Sequence, residues 1–304
     1  MANEIYYSGA GDYTLSATLY RTIELLLADR ASLWNHPALV YLGDLAQSGS
    51  AAIQAPQLGL DGYDEMASVA ENASTSNTAL SDASDTVTIA RQALQYQQSD
   101  LAALVNSVGL DPIRLAQSMV GSAQMRFTTM VTGLSANFSQ SVGTSGVDMS
   151  VDDFLDASIT LDLQSNAAER IAVLHPRQLG DLKQSLRGET GPLAFIPATA
   201  EMIAAKGPGY QGMLLGVDIF ASSKVATANA AADRDGFMFC RGAILWADAS
   251  QRLNIPGMQE VTYGKIRVGF ERDEAGALTK IVGNYFVGVA EGQDLMACRI
   301  VTDA

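Results

Sequence analysis

The chain has 304 residues, 48% of them hydrophobic and 17% charged, and a formal net charge of −14. That length can bury a large core in one large or two moderate domains. The acidic balance argues against a nucleic-acid binder, which needs a basic patch to release counterions, although it does not exclude a container for DNA.

Met1 to Gly11 carries acid and tyrosine where a signal peptide would carry basic and then apolar residues, so no secretory leader is expected. Leu15, Leu19, Ile23, Leu26 and Leu27 fall on one stripe and predict a helix over 14–30, which Asn35-His36-Pro37 ends. Residues 38–98 hold two strand-like runs, 38–42 and 86–90, the second continued by the alternation of Ala93, Leu94 and Tyr96. Between them the chain is Ser, Gly, Ala, Asn and Asp. From 31 to 90 there are seven acids and no lysine or arginine. A stretch so poor in apolar anchors cannot pack alone; it is either disordered or a two-stranded arm ordered against a neighbour.

A short helix is expected from Ser99-Asp100 to Val108. Asp111-Pro112 then predicts the cap and first turn of a long helix, 111–139. Its stripe is Ala116, Met119, Val120, Ala123, Phe127, Met130, Val131, Leu134 and Phe138. Residues 139–146 read as a flexible loop. Ser150-Val151-Asp152-Asp153 is a capping-box signature for a helix to about Gln164, with Asp152, Asp153 and Asp156 serving its N-terminus. A strand over 171–174 is broken by His175-Pro176, and a helix follows with Leu179, Leu182 and Leu186 on one face. A short helix over 198–206, single buried strands at 213–220 and 236–246, and an antiparallel meander of 261–271, 278–289 and 295–302 complete the chain. No apolar run approaches the 18 residues of a membrane span.

The chemical motifs are weak. Gly207-Pro208-Gly209-Tyr210-Gln211-Gly212 has the letters of a dinucleotide fingerprint, but a helix precedes it and a strand follows, the reverse of what phosphate binding needs. It reads as a flexible loop. His36 and His175 both precede proline and read as turn residues. Cys240 and Cys298 lie in apolar runs and read as buried free thiols. No catalytic residue, cofactor or metal site is expected. Asp61, Asp64 and Glu65 cluster in the arm with a spacing that is not that of a calcium loop; with Glu71 they read as a solvated or partner-facing acidic surface.

The order of these elements resembles the tailed-phage major capsid proteins of the Hong Kong 97 type. The run Thr86-Val87-Thr88-Ile89-Ala90-Arg91 before Gln98-Ser99-Asp100-Leu101 is similar to that family's return strand. Ala172-Val173-Leu174-His175-Pro176 with Leu179 and Leu182 resembles its axial strand–turn–helix. Leu215-Gly216-Val217-Asp218-Ile219 before Ser222-Ser223-Lys224-Val225 resembles the strand after it. The resemblance implies an α+β Hong Kong 97-like fold. Its parts would be an N-terminal arm (1–37), an extended β-hairpin loop (38–98), a peripheral domain with the spine helix (99–149), an axial α/β domain (150–250) and peripheral return strands (251–304). It implies a homo-oligomer of hexamers and pentamers closing an icosahedral shell around DNA, without sequence-specific binding. A portal, a separate scaffolding protein and optionally a decoration protein would be partners. Many family members carry a cleaved scaffolding extension, for which a chain whose first helix begins near Thr14 has no room. The expected location is the virion, after assembly in the host cytoplasm, with no membrane contact.

The alternatives are an encapsulin-type compartment of the same fold, a soluble α/β enzyme, for which no convergent titratable group is visible, and a phage decoration or tail protein. Some members of the resembled family join subunits by an isopeptide bond from a lysine in the extended loop. Here the first lysine is Lys183, and arginine cannot supply the uncharged amine. Particles boiled in detergent should therefore run as one band near 32.1 kDa, and high salt should loosen them by screening the arm carboxylates. A ladder of covalent oligomers on that gel would contradict this.

Overall fold

The computed structural model describes residues 33, 36–45, 49–58, 68, 69, 71, 74, 82–101, 112–163, 169–188, 195–207, 209–249, 260–263 and 266–303. The helix expected over 14–30, most of the short helix after Ser99, and the Asp111 cap lie outside them. In chain order the first strands are β1 (Val40–Asp44), β2 (Ala52–Leu58), β3 (Asp82–Thr88) and β4 (Ala90–Ser99). Helix α1 (Pro112–Gly133), β5 (Ser141–Val142), α2 (Val151–Asp162), β6 (Arg170–Leu174) and α3 (Pro176–Gly188) follow. Then come β7 (Ile196–Pro197), α4 (Ala200–Lys206), β8 (Tyr210–Leu214), β9 (Val217–Ala221), β10 (Ala226–Ala228) and β11 (Asp233–Cys240). The chain ends with β12 (Ile244–Asp248), β13 (Glu260–Tyr263), β14 (Ile266–Asp273), β15 (Leu278–Glu291) and β16 (Ala297–Asp303).

Two sheets organise these elements. The six-stranded sheet runs β1-β12-β15-β14-β13, with β4 also on β15. Strand β15 is its axis, because its 14 residues are long enough to hold β14 on one edge and both β4 and β12 on the other. Ile281, Gly283, Tyr285 and Val287 alternate onto one buried face, and α1 packs there through Met119, Val120, Ala123, Phe127 and Val131. Gly283 provides the seat, since a Cβ there would press on the Met119 sulfur. The expected stripe is thus the buried one. The α-helix is shorter than 111–139, tightening after Gly133 into a 3-10 turn, Leu134–Asn137.

The eight-stranded sheet runs β5-β16-β11-β6-β9-β8-β7, with β10 on β11. Ile171 and Val173 of β6 face the core shared with α1, and Ala172 and Leu174 face a second core under α2 and α3. The capping box is formed: the Ser150 hydroxyl accepts from the Asp153 N–H, and the Asp153 carboxylate accepts from the Ser150 N–H. Fully buried Gln178 ties α3 to the sheet. Its amide donates to the Arg234 and Ile300 carbonyls and the Thr302 hydroxyl, and its carbonyl accepts from the His175 N–H. His175 therefore closes β6 as a turn residue.

Six expectations need correction. The run 213–220 is the hairpin β8–β9, turned at Leu215 and Gly216, both at positive φ as a two-residue turn requires. The run 236–246 is two strands in different sheets, β11 and β12, with Gly242 at φ 106° between them. The run 261–271 is divided into β13 and β14. The meander stops at β15, because β16 crosses to the other sheet and pairs antiparallel with β11. The loop 139–146 is pinned: β5 pairs with β16, and Asp233 accepts from the Ser145 hydroxyl and the Gly146 N–H. In place of the flexible loop expected at 207–212, Gly207 stops α4 and β8 begins at Tyr210, and a Cβ on Gly212 would strike the Ile196 carbonyl.

Replacing Gln178 with Ala strands several buried partners, each worth roughly 1–3 kcal/mol when left unsatisfied. Denaturant unfolding of the purified chain should show a loss of about 2–3 kcal/mol with an unchanged m-value.

Candidate assembly surfaces

Beside the two sheets stands a two-stranded ribbon, β2 with β3, in register from Ala52↔Thr88 to Leu58↔Asp82. It is rooted in the six-stranded sheet. Val87 is fully buried with Leu245 and Ala247, and Ile53, Ala55 and Ile89 pack against them. The approach is close: a Cβ on Gly288 of β15 would run into the Thr88 carbonyl. Away from this root the ribbon presents Gln54, Ser84 and Thr86 to solvent. A two-stranded ribbon with polar faces gains little from its own packing.

Of the four predicted contact residues, Asp61, Asp64 and Glu65 lie outside the described residues, and Glu71 is exposed. The structure instead brings together three acids that sequence reasoning missed. Glu291 ends β15, Asp294 lies in the passage to β16, and Asp85 comes from the ribbon. Glu291 shares a hydrogen bond with Asp294, whose carboxylate also accepts from the Ser139 N–H at 2.8 Å and from the Ser139 hydroxyl. Burial, then Asp294, then Asp85 raise the Glu291 pKa, and burial raises that of Asp85. The cluster sits where ribbon, six-stranded sheet and the chain leaving α1 converge. No local motif marks it, since the three acids meet only through topology.

A second polar group joins the segment before β1 to the eight-stranded sheet. Lys206 donates to both oxygens of Asp218, the Tyr210 hydroxyl donates to the same carboxylate, and His36 Nε2 lies 3.9 Å from it. Burial holds His36 below its usual pKa. The remaining features offer little reactive chemistry. Burial pushes the Cys240 and Cys298 thiols up to about 11 and about 12, far from a reactive thiolate. A cavity of about 280 Å³ between α1 and β15 is lined mainly by apolar groups, among them Leu94, Met119, Ala123 and Ile266. Among the described residues no three His, Cys, Asp or Glu side chains are placed to hold a metal, and no helix is long and apolar enough to cross a membrane.

No family model matches the chain, and no curated protein matches it. Solved structures do. The capsid of Ralstonia phage GP4 superposes with a TM-score of 0.61 at 12% identity, covering 91% of this chain and 90% of that one. The capsid of cyanophage P-SCSP1u gives 0.60 at 13%, covering 90% and 88%. The encapsulin of Synechococcus elongatus gives 0.59 at 16%, covering 87% and 84%. The chain thus has the mixed α and β fold of phage capsid proteins, shared with an encapsulin.

The acid cluster generates a pH prediction. A carboxyl whose folded pKa is raised contributes stability that is full below its unfolded pKa and is lost as pH rises through the folded value. Glu291→Gln should therefore raise the subunit's melting temperature at pH 7, and the gain should shrink towards pH 4. Melting curves across that range check it; a gain that grows on acidification would contradict the assignment.

Proposed function

We propose that the chain is the major capsid protein of a tailed bacteriophage, with the Hong Kong 97-like fold, assembling as pentamers and hexamers into an icosahedral shell around double-stranded DNA. The observation that carries this reading is the ribbon. It is a two-stranded projection anchored at its root, joined to a body whose fold matches capsid proteins over nine tenths of both chains. Such a projection recovers its ordering entropy by lying on a neighbour. The acids between its strands, Asp61, Asp64, Glu65 and Glu71, would face cations of that neighbour, and the net charge of −14 would leave the enclosed DNA unbound. The role is mechanical and needs no cofactor. A separate scaffolding protein and a portal would be partners, a decoration protein an optional one, and assembly would occur in the host cytoplasm before the virion is released. The likeness to the Synechococcus encapsulin favours a second reading, a cellular compartment with protein cargo.

Expression of the chain, with scaffold where one is encoded, should give hollow particles in negative stain. Replacing 59–81 by a short Gly-Ser turn should leave a folded subunit, since β2 and β3 keep their register, and abolish particles. A well-behaved monomer at all concentrations would contradict the shell reading. Particles that carry a co-encoded enzyme and never nucleic acid would favour the compartment.

A further inference from the structure

Helices α2 and α3 cover the same face of the eight-stranded sheet. Helix α2 buries Val151, Phe154, Ala157, Ser158 and Leu161, and α3 buries Gln178, Leu179, Asp181 and Leu182. The opposite stripe of α2 is Asp152, Asp156, Ile159 and Leu163, all exposed, with Ile159 at 52% and Leu163 at 77%. The opposite stripe of α3 is Pro176, Gly180, Lys183 and Arg187. Read from the two N-termini, both stripes advance by steps of four, three and four residues, so each is one helical face rising through the same height.

The chemistry of the stripes is complementary in one orientation. Antiparallel, Asp152 meets Arg187, Asp156 meets Lys183, Ile159 meets Gly180 and Leu163 meets Pro176. Parallel, the acids would meet Pro176 and Gly180, and the apolar side chains would meet the cations. The charges needed for pairing are uncommitted on the acidic side. Asp153 serves the capping box and Asp162 pairs with Arg170, while Asp152 and Asp156 have no cation partner among the described residues. Lys183 rests over the Phe195 ring at 5.1 Å, on the exposed face.

Gly180 is an independent pointer. Glycine inside a helix is destabilising relative to alanine. A Cβ at Gly180 would meet nothing within 4 Å in the subunit, so its own fold does not require the absent side chain. A branched side chain arriving from another molecule would.

We propose that the Asp152–Asp156–Ile159–Leu163 stripe of one copy packs antiparallel on the Arg187–Lys183–Gly180–Pro176 stripe of a second copy of this chain. The proposal rests on the shell reading and names one of its subunit contacts. Because two different surfaces meet, the contact is head-to-tail, and repetition closes a ring. Charge pairs at such a contact fix register and reject wrong partners.

The test uses assembled particles of the full chain carrying Asp156→Cys with Lys183→Cys, both exposed positions. The native thiols are buried. After mild oxidation, a non-reducing gel should show a ladder ending at five and six subunits. The displaced pair Asp152→Cys with Pro176→Cys should stay monomeric on the same gel. Asp156→Lys should abolish particles, and Asp156→Lys with Lys183→Asp should restore them. Particles without the cross-link, dimers alone, or normal assembly of Asp156→Lys would each overturn this contact while leaving the shell reading intact. If the wild-type chain forms no particles under any condition, the shell reading itself falls.

Discussion

The structure depends on one double crossing. The chain leaves the eight-stranded sheet at Cys240 and enters the six-stranded sheet at Ile244; it returns between Glu291 and Ala297. The two passages are stapled together, the Gly292 N–H donating to the Ala243 carbonyl and the Gln293 N–H to the Gly242 carbonyl. They run so close that a Cβ on Gly292 would strike the Gly242 carbonyl. Two strands crossing in opposite directions at one point fix the relative angle of the sheets more firmly than a single linker would. The large core cluster then spans both, taking Phe237 and Phe239 from one sheet and Trp246 and Val287 from the other.

Helix α1 and the ribbon both hang from that joint. Helix α1 lies along the six-stranded sheet, and Phe127 stacks edge-on against Trp246, two residues beyond the crossing. The ribbon is rooted on Leu245 and Ala247 of the same strand. The acids Glu291 and Asp294 sit on the returning passage, so their mutual repulsion acts where ribbon, helix and sheets meet. The ribbon is thus a weakly packed projection on a body held together at its centre.

Much of this was legible in the sequence where the signal is local. The α1 stripe, the Ser150–Asp153 box and the break at His175-Pro176 each announce themselves within one or two helical turns. What was not legible is partnership. Alternation predicts that 295–302 is a strand but cannot say that it leaves its neighbour for β11. Leu215 carries no turn signature, so β8 and β9 merge into one run. Gly242, inside the apolar stretch 236–246, does not by itself reveal a change of sheet. The candidate site divides the same way. The acidic arm is visible as composition, whereas Asp85, Glu291 and Asp294 become a cluster only after 200 intervening residues have folded. The aspartates of α2 read naturally as helix-terminus charges; that two of them lie on an exposed stripe emerges only once the buried face is known.

The crossing also sets the order in which the molecule can be completed during synthesis. Strand β15 is the axis of one sheet and β16 an inner strand of the other, and both lie after residue 277. While the ribosome is still making them, β4, β12, β6 and β11 have no finished sheet to join, and these non-local pairings are slow to form. A nascent chain therefore cannot close either sheet until these two strands have been made.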